Sequence, residues 1–160
     1  MEKLSKDLSM QLDAIVDQNG SDEANLIPML LAAQELNDEN YISEEVGSYI
    51  ASKLGITVVK LSSVMSFFAA LSDTPRGKNV IKICKSTACL VNDYQSVRDI
   101  LERELGIVMG GVTPDKHFSL EYTECIGACD ISPAFRINKK VYGNLNESKI
   151  VELLNTYRGV

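Results

Sequence analysis

Two close pairs of cysteines, far apart in the chain, constrain this sequence more than any other feature. Cys84-Lys85-Ser86-Thr87-Ala88-Cys89 is a C-x4-C, Cys125-Ile126-Gly127-Ala128-Cys129 is a C-x3-C, and 35 residues separate the pairs. If the four thiols act together, the fold must carry both segments to one place, and the chain around them must supply the scaffold.

The hydropathy pattern of the second half describes such a scaffold. The run Asn79-Val80-Ile81-Lys82-Ile83-Cys84 reads as a strand, and residues 92–105 as a helix with Tyr94, Val97, Leu101 and Leu105 on one face and Gly106 as its stop. Phe118-Ser119-Leu120-Glu121-Tyr122 alternates as a strand should. Ala134 to Asn138 with Val141-Tyr142 reads as a hairpin turning at Asn138-Lys139-Lys140, and a last helix from Asn146 places Ile150, Leu153, Leu154 and Tyr157 on one side. The order strand, helix, strand, strand, strand, helix predicts helices on a small mixed sheet. Each cysteine pair then lies in a loop at a strand end, Cys84 closing the first strand and Cys125 following the second. Adjacent strand ends would bring the pairs together.

The first half lacks strand-like alternation and reads as four amphipathic helices. Leu4, Leu8, Leu12, Ile15 and Val16 form one stripe, ended by Asn19-Gly20; a second helix covers about residues 25–36, with Pro28 tolerable in its first turn. Ser43 caps a third helix with Val46, Tyr49, Ile50 and Leu54 inward and Gly55 past its end. Thr57 caps a fourth carrying Leu61, Val64, Met65, Phe68 and Leu71, with Phe67 off that stripe. Ser72-Asp73-Thr74-Pro75-Arg76-Gly77 ends helical structure, so two domains are expected: a helical bundle over 1–75 and a cysteine-bearing α/β domain over 76–160. Charge changes at the same point, with twelve acids against four bases before residue 76 and ten against twelve after it.

Composition narrows the partners. At 160 residues and 45 % hydrophobic, the chain can build an ordinary core. No apolar run approaches the roughly 18 residues of a membrane span, and the opening Met1-Glu2-Lys3-Leu4 is charged, without the apolar region of a leader. A cytoplasmic protein with no direct membrane insertion is expected. The net charge of −6 leaves no positive field for a phosphate backbone, which excludes nucleic acid as the expected partner.

Four thiolates suit a [2Fe–2S] or [4Fe–4S] cluster or structural zinc. Disulfides are disfavoured without a secretion signal. Zinc usually takes C-x2-C knuckles, although longer spacings occur, and the x4 and x3 loops suit a larger inorganic core; zinc remains the alternative. A plant-type ferredoxin needs C-x2-C soon after its C-x4-C, a bacterial [4Fe–4S] ferredoxin needs C-x2-C-x2-C, and a Rieske centre needs two histidines where this chain has only His117, which reads as a surface residue. Neither pair is the C-x-x-C of a thioredoxin dithiol. The chain also lacks a strand-linked G-x-G-x-x-G, a P-loop and any Ser/His/Asp set, so nucleotide and flavin are expected on another polypeptide and no catalytic residue is assigned.

The residues resemble a known family, the thioredoxin-like [2Fe–2S] ferredoxins that form the 24 kDa-type subunit of respiratory complex I and recur in NAD-linked hydrogenases and formate dehydrogenases. The resemblance rests on Leu26-Ile27-Pro28, Ala32-Ala33-Gln34, Pro75-Arg76-Gly77-Lys78, the two cysteine segments with Glu124, and Tyr142-Gly143-Asn144-Leu145. It implies an N-terminal helical bundle followed by a thioredoxin-like domain, with Cys84, Cys89, Cys125 and Cys129 as ligands of one [2Fe–2S] cluster. It also implies a larger partner subunit that binds FMN and NAD(H), with which the cluster exchanges single electrons. Three positions depart from the family pattern beside the cysteines: Ser86 replaces a usual glycine, and Asp130 with Ser132 replace glycine and alanine around Pro133. The compact form without an organellar extension favours a soluble NAD-dependent hydrogenase, electron-bifurcating forms included, over complex I or formate dehydrogenase. A zinc-stabilised adaptor without redox role is the reading from another class. Lys82, Lys85, Arg136, Lys139 and Lys140 stand near the cysteine loops in sequence, either to offset cluster charge or as ordinary solvated charges.

Overall fold

The computed structural model describes residues 4–20 and 22–159; the charged opening residues 1–3 lie outside them. The chain forms two compact units that divide between Pro75 and Arg76.

The first unit is helical. α1 (Lys6–Asn19) is capped by Ser5, whose side chain accepts from the Leu8 amide, and it buries Leu12 and Val16. α2 (Leu26–Glu35) follows a 3-10 turn at Glu23–Asn25 and holds Pro28 in its first turn, where a missing N–H costs nothing. α3 (Glu44–Leu54) runs from its Ser43 cap to Gly55, whose φ of 65° is the left-handed geometry that ends a helix cheaply at glycine. Leu12, Leu30 and Ile50 are completely buried at the centre of this unit.

α4 (Val58–Phe67) begins at its Thr57 cap but stops short of the expected stripe, because Phe68 turns extended. The cause lies in α2. Buried Gln34 donates through Nε2 to the Ala70 carbonyl at 3.1 Å and accepts at Oε1 from the Ser72 amide at 2.8 Å. These bonds tie residues 70 and 72 to α2, and Leu71, whose amide donates to the Phe68 carbonyl across a turn, reaches the core from beyond the helix end. Phe67, 79 % exposed, points away from that core, so α4 is not fully buried.

The second unit is a four-stranded mixed sheet of order β2-β1-β3-β4 with helices packed on it. β1 is Asn79–Cys84, β2 Phe118–Thr123, β3 Phe135–Ile137 and β4 Lys140–Tyr142. β1 is parallel to β2 and antiparallel to β3, which pairs antiparallel with β4. Period-two alternation puts Ile81, Ile83, Phe118, Leu120, Phe135 and Ile137 on one face, where α6 (Tyr94–Leu105) adds Val97 and Leu101 and α7 (Glu147–Arg158) adds Ile150 and Leu154. Gly77 leads into β1 so close to β2 that a Cβ there would lie 2.7 Å from both Cα and O of Phe118.

Three expectations change. The segment after Cys84 is not all loop: α5 (Thr87–Val91) is a five-residue helix, separated from α6 by Asp93 at φ 57°. One turn of helix carries no periodicity a sequence can display. His117 is half-buried rather than on the surface, its Nε2 2.7 Å from the Tyr157 carbonyl. The hairpin turn at Asn138 and Lys139 lies at the start of β1, because antiparallel β3 pairs Ile137 with Ile81 and Phe135 with Ile83. Lys139 and Lys140 are therefore at the opposite end of the sheet from Cys84. Among the described residues no single helix is long and apolar enough to cross a membrane.

Candidate metal centre

β1 and β2 run parallel and in register from Asn79 opposite Phe118 to Cys84 opposite Thr123. Both strands thus release the chain at the same end of the sheet, and each cysteine segment starts there. Cys84 is the last residue of β1 and completely buried. Cys89, also buried, lies in α5. Cys125 follows β2 in an exposed loop, and Cys129 opens a 3-10 turn, Cys129–Ile131, likewise exposed. The set has a buried half and an exposed half.

The sulfurs meet one another and nearby donors. Burial works against ionising Cys84, but hydrogen bonds with Ser86, with Cys89 and with the Ile126 backbone outweigh it and hold the thiol's pKa below its usual value. Ile126 belongs to the second cysteine segment, so this bond ties the two segments at the sulfur. Cys89 is pushed up to about 11 by burial first, then by its contact with Cys84 and the charges of Cys84, Cys129 and Cys125. Cys129 is raised chiefly by the charge of Cys125, then by burial, with Cys84 and Asp130 adding to it. The Gly127 amide donates to Cys125 Sγ at 3.4 Å, with Gly127 at φ 73°.

This donor set fits an iron–sulfur core. Thiolates are the ligands such a core takes, and several thiolates at one site repel each other until a cationic centre compensates them. Among the described residues, no three His, Cys, Asp or Glu side chains close on one point as a single ion requires. The thiols of Cys84 and Cys89 contact each other, and so do those of Cys125 and Cys129.

A row of charge crosses the sheet on the face that Cys84 shares. Glu121, Lys82 and Arg136 are side by side in register. Lys82, only 7 % exposed, lies 3.1 Å from one Glu121 oxygen, and Arg76 Nε lies 2.6 Å from the other. Burial lowers the Lys82 pKa against the pull of Glu121. Arg136 Nε is buried without a hydrogen-bond partner. Of the cations expected near the cysteines, Lys82 and Arg136 are thus two positions below Cys84 on its own face, and Lys85 lies over the Tyr122 ring at 4.7 Å. The Glu121 link was not anticipated; the signal was the even spacing of Val80, Lys82 and Cys84 along one strand.

A small mixed sheet that carries two cysteine segments to the same end of its parallel strands defines a class of α/β protein with a thiol-lined site. This chain belongs to the thioredoxin-like [2Fe–2S] ferredoxin family, whose model matches residues 12–158. Membership implies an iron–sulfur cluster.

The chain is 31 % identical over 135 residues to NADP-reducing hydrogenase subunit HndA of Solidesulfovibrio fructosivorans, covering 84 % of this chain and 78 % of that one. It is 30 % identical over 156 residues to an NADH-quinone oxidoreductase subunit of Buchnera aphidicola, covering 98 % and 90 %. It is 32 % identical over 147 residues to NAD-reducing hydrogenase HoxS subunit alpha of Cupriavidus necator, covering 92 % of this chain and 24 % of that one. These relatives are subunits of oxidoreductase complexes. The fold is shared with a chain of an NAD+-reducing [NiFe]-hydrogenase in its air-oxidized state, with a TM-score of 0.71 at 19 % identity, over 81 % of this chain and 23 % of the other. This chain therefore spans about a quarter of that hydrogenase chain.

Proposed function

We propose that this chain is an electron-transfer subunit that carries one [2Fe–2S] cluster on Cys84, Cys89, Cys125 and Cys129. It exchanges single electrons with the FMN of a larger NAD(H)-binding subunit, in a soluble NAD-dependent hydrogenase. Residues 1–75 and 76–160 act as two domains, with the cluster on the second. The observation that carries the reading is the meeting of both cysteine segments at the ends of β1 and β2, where the Ile126 amide reaches the Cys84 sulfur and the charges of Cys125 and Cys129 act on Cys89. The thiols' separation into two pairs suits a binuclear core.

A [2Fe–2S] core held by four thiolates has no open coordination position and supplies one-electron exchange. The chain's own residues do the rest. β1 and β2 fix the segments, the Ile126 and Gly127 amides donate to sulfur, and the exposed half at Cys125 and Cys129 gives a partner close approach. Hydride chemistry falls to the flavoprotein.

The experiment is analysis of the anaerobically purified protein. About two irons and two sulfides per chain, with a rhombic one-electron EPR signal on reduction, are expected for this ligand set. A colourless protein with one zinc per chain would make it the zinc-stabilised adaptor. A complex I subunit is the second reading, favoured by the near-complete coverage, in both directions, of the match to the Buchnera aphidicola oxidoreductase chain. Co-purification with hydrogenase subunits supports the first reading, and with membrane NADH-quinone oxidoreductase subunits the second.

A further inference from the structure

Ser86 is at the N-cap of α5 with φ −66° and ψ 164°, the backbone from which a serine hydroxyl ordinarily accepts a hydrogen bond from the first turn of its helix. It makes no such bond. Its Oγ lies instead 3.1 Å from Cys84 Sγ. In the free thiol the S–H donates to the hydroxyl oxygen. A metal-bound sulfur carries no proton and can only accept, so the hydroxyl then turns its own proton toward the sulfur.

We propose that Ser86 sets the reduction potential of the site: its hydroxyl donates to the Cys84 sulfur and favours the state that holds the extra electron. This rests on the reading of Cys84 as a cluster ligand. Reduction adds one negative charge, part of which resides on the sulfurs, and a hydrogen bond to sulfur strengthens as that charge grows. The bond is therefore worth more after reduction than before it, and the potential rises. Cys84 is completely buried at the end of β1, where the low local dielectric enlarges the effect of a hydrogen bond to its sulfur. The donors from Ile126 and Gly127 are backbone amides that substitution leaves in place. Position 86 offers a side-chain donor, and a glycine there would have none.

The test uses the full-length protein with its cluster. In redox titrations Ser86→Ala lowers the midpoint, weakening the hold on the electron about tenfold, which is about 59 mV for a one-electron couple. Ser86→Thr keeps a hydroxyl and stays near the parent. Resonance Raman gives a second readout: the Fe–S stretching bands of the parent shift in deuterated water, and Ser86→Ala loses part of that shift. A merely structural serine would alter stability and leave both readouts still. Should Ser86→Ala fail to hold its cluster, Ser86→Gly, which also lacks the hydroxyl, is titrated in its place and is expected to show the same lowered midpoint. An intact Ser86→Ala cluster with unchanged midpoint, or a parent without deuterium sensitivity, overturns the proposal alone. A parent protein without iron and sulfide overturns the cluster reading with it.

Discussion

Cys84 stands opposite Thr123 at the ends of the parallel strands β1 and β2, and this one register pair lets segments 35 residues apart share a site. The two halves of that site are held differently. Cys84 is held within β1, in the parallel ladder opposite Thr123 and completely buried, whereas Cys125 follows β2 in an exposed loop that can adjust. Cys84→Ser is expected to lose iron several-fold, while Cys125→Ser retains a cluster with altered absorption and EPR. Equal retention in the two variants would contradict this division.

Gly143 lies against the turn that Cys129 opens. A Cβ at this position would overlap the Ile131 side chain and lie 2.5 Å from the Ile131 carbonyl oxygen, which also accepts from the Asn144 amide. Backbone cannot yield as a side-chain tip does. Gly143→Ala should cost about 2 kcal/mol, read as a lower denaturant midpoint, and should speed cluster loss.

Asn138 does two things in the β3–β4 turn. Its φ of 51° is left-handed, and its Oδ1 accepts from the Val80 amide at 2.9 Å. Asn138→Gly keeps the first and loses the second, for about 1 kcal/mol; Asn138→Ala loses both, for about 2 kcal/mol. Equal unfolding free energies for the two variants would show that the turn geometry is not strained.

Glu121 is the carboxylate between Arg76 and Lys82, two side chains largely withdrawn from water. Glu121→Gln leaves their shape and removes the opposing charge. A loss of about 2 kcal/mol in chemical denaturation is expected, since a buried cation without its counter-charge is costly while the pair itself is nearly neutral in net worth.

The end of α4 can be tested by two neighbours in sequence. Phe67→Ser, at an exposed position, should change stability by no more than about 0.5 kcal/mol. Leu71→Ala, buried at 4 % exposure, should cost about 3 kcal/mol by leaving a cavity.

Much of the architecture is local and was therefore legible. Ser43, Thr57 and Asn146 cap the helices expected to start there, Gly55 and Gly106 end theirs in left-handed geometry, and β1 covers the run Asn79–Cys84. What failed was set from elsewhere in the chain or was too short to have a period. Gln34, more than thirty residues upstream, decides where α4 stops. α5 spans five residues. Lys139 and Lys140 looked close to the cysteines along the chain, yet antiparallel pairing of β3 carries them to the far end of the sheet.

The sequence by itself determined the donor set on offer: four thiols in two pairs, one histidine and no nucleotide motif, because donor type and spacing are properties of the chain. Only the tertiary structure decided how those thiols stand. Parallel register brings Cys84 and Cys125 to one edge, burial separates an inner pair from an outer one, and the Ser86 hydroxyl leaves its cap for sulfur. Those outcomes depend on which backbones pair across space and on what water can reach, and neither quantity is carried by any one segment of the chain.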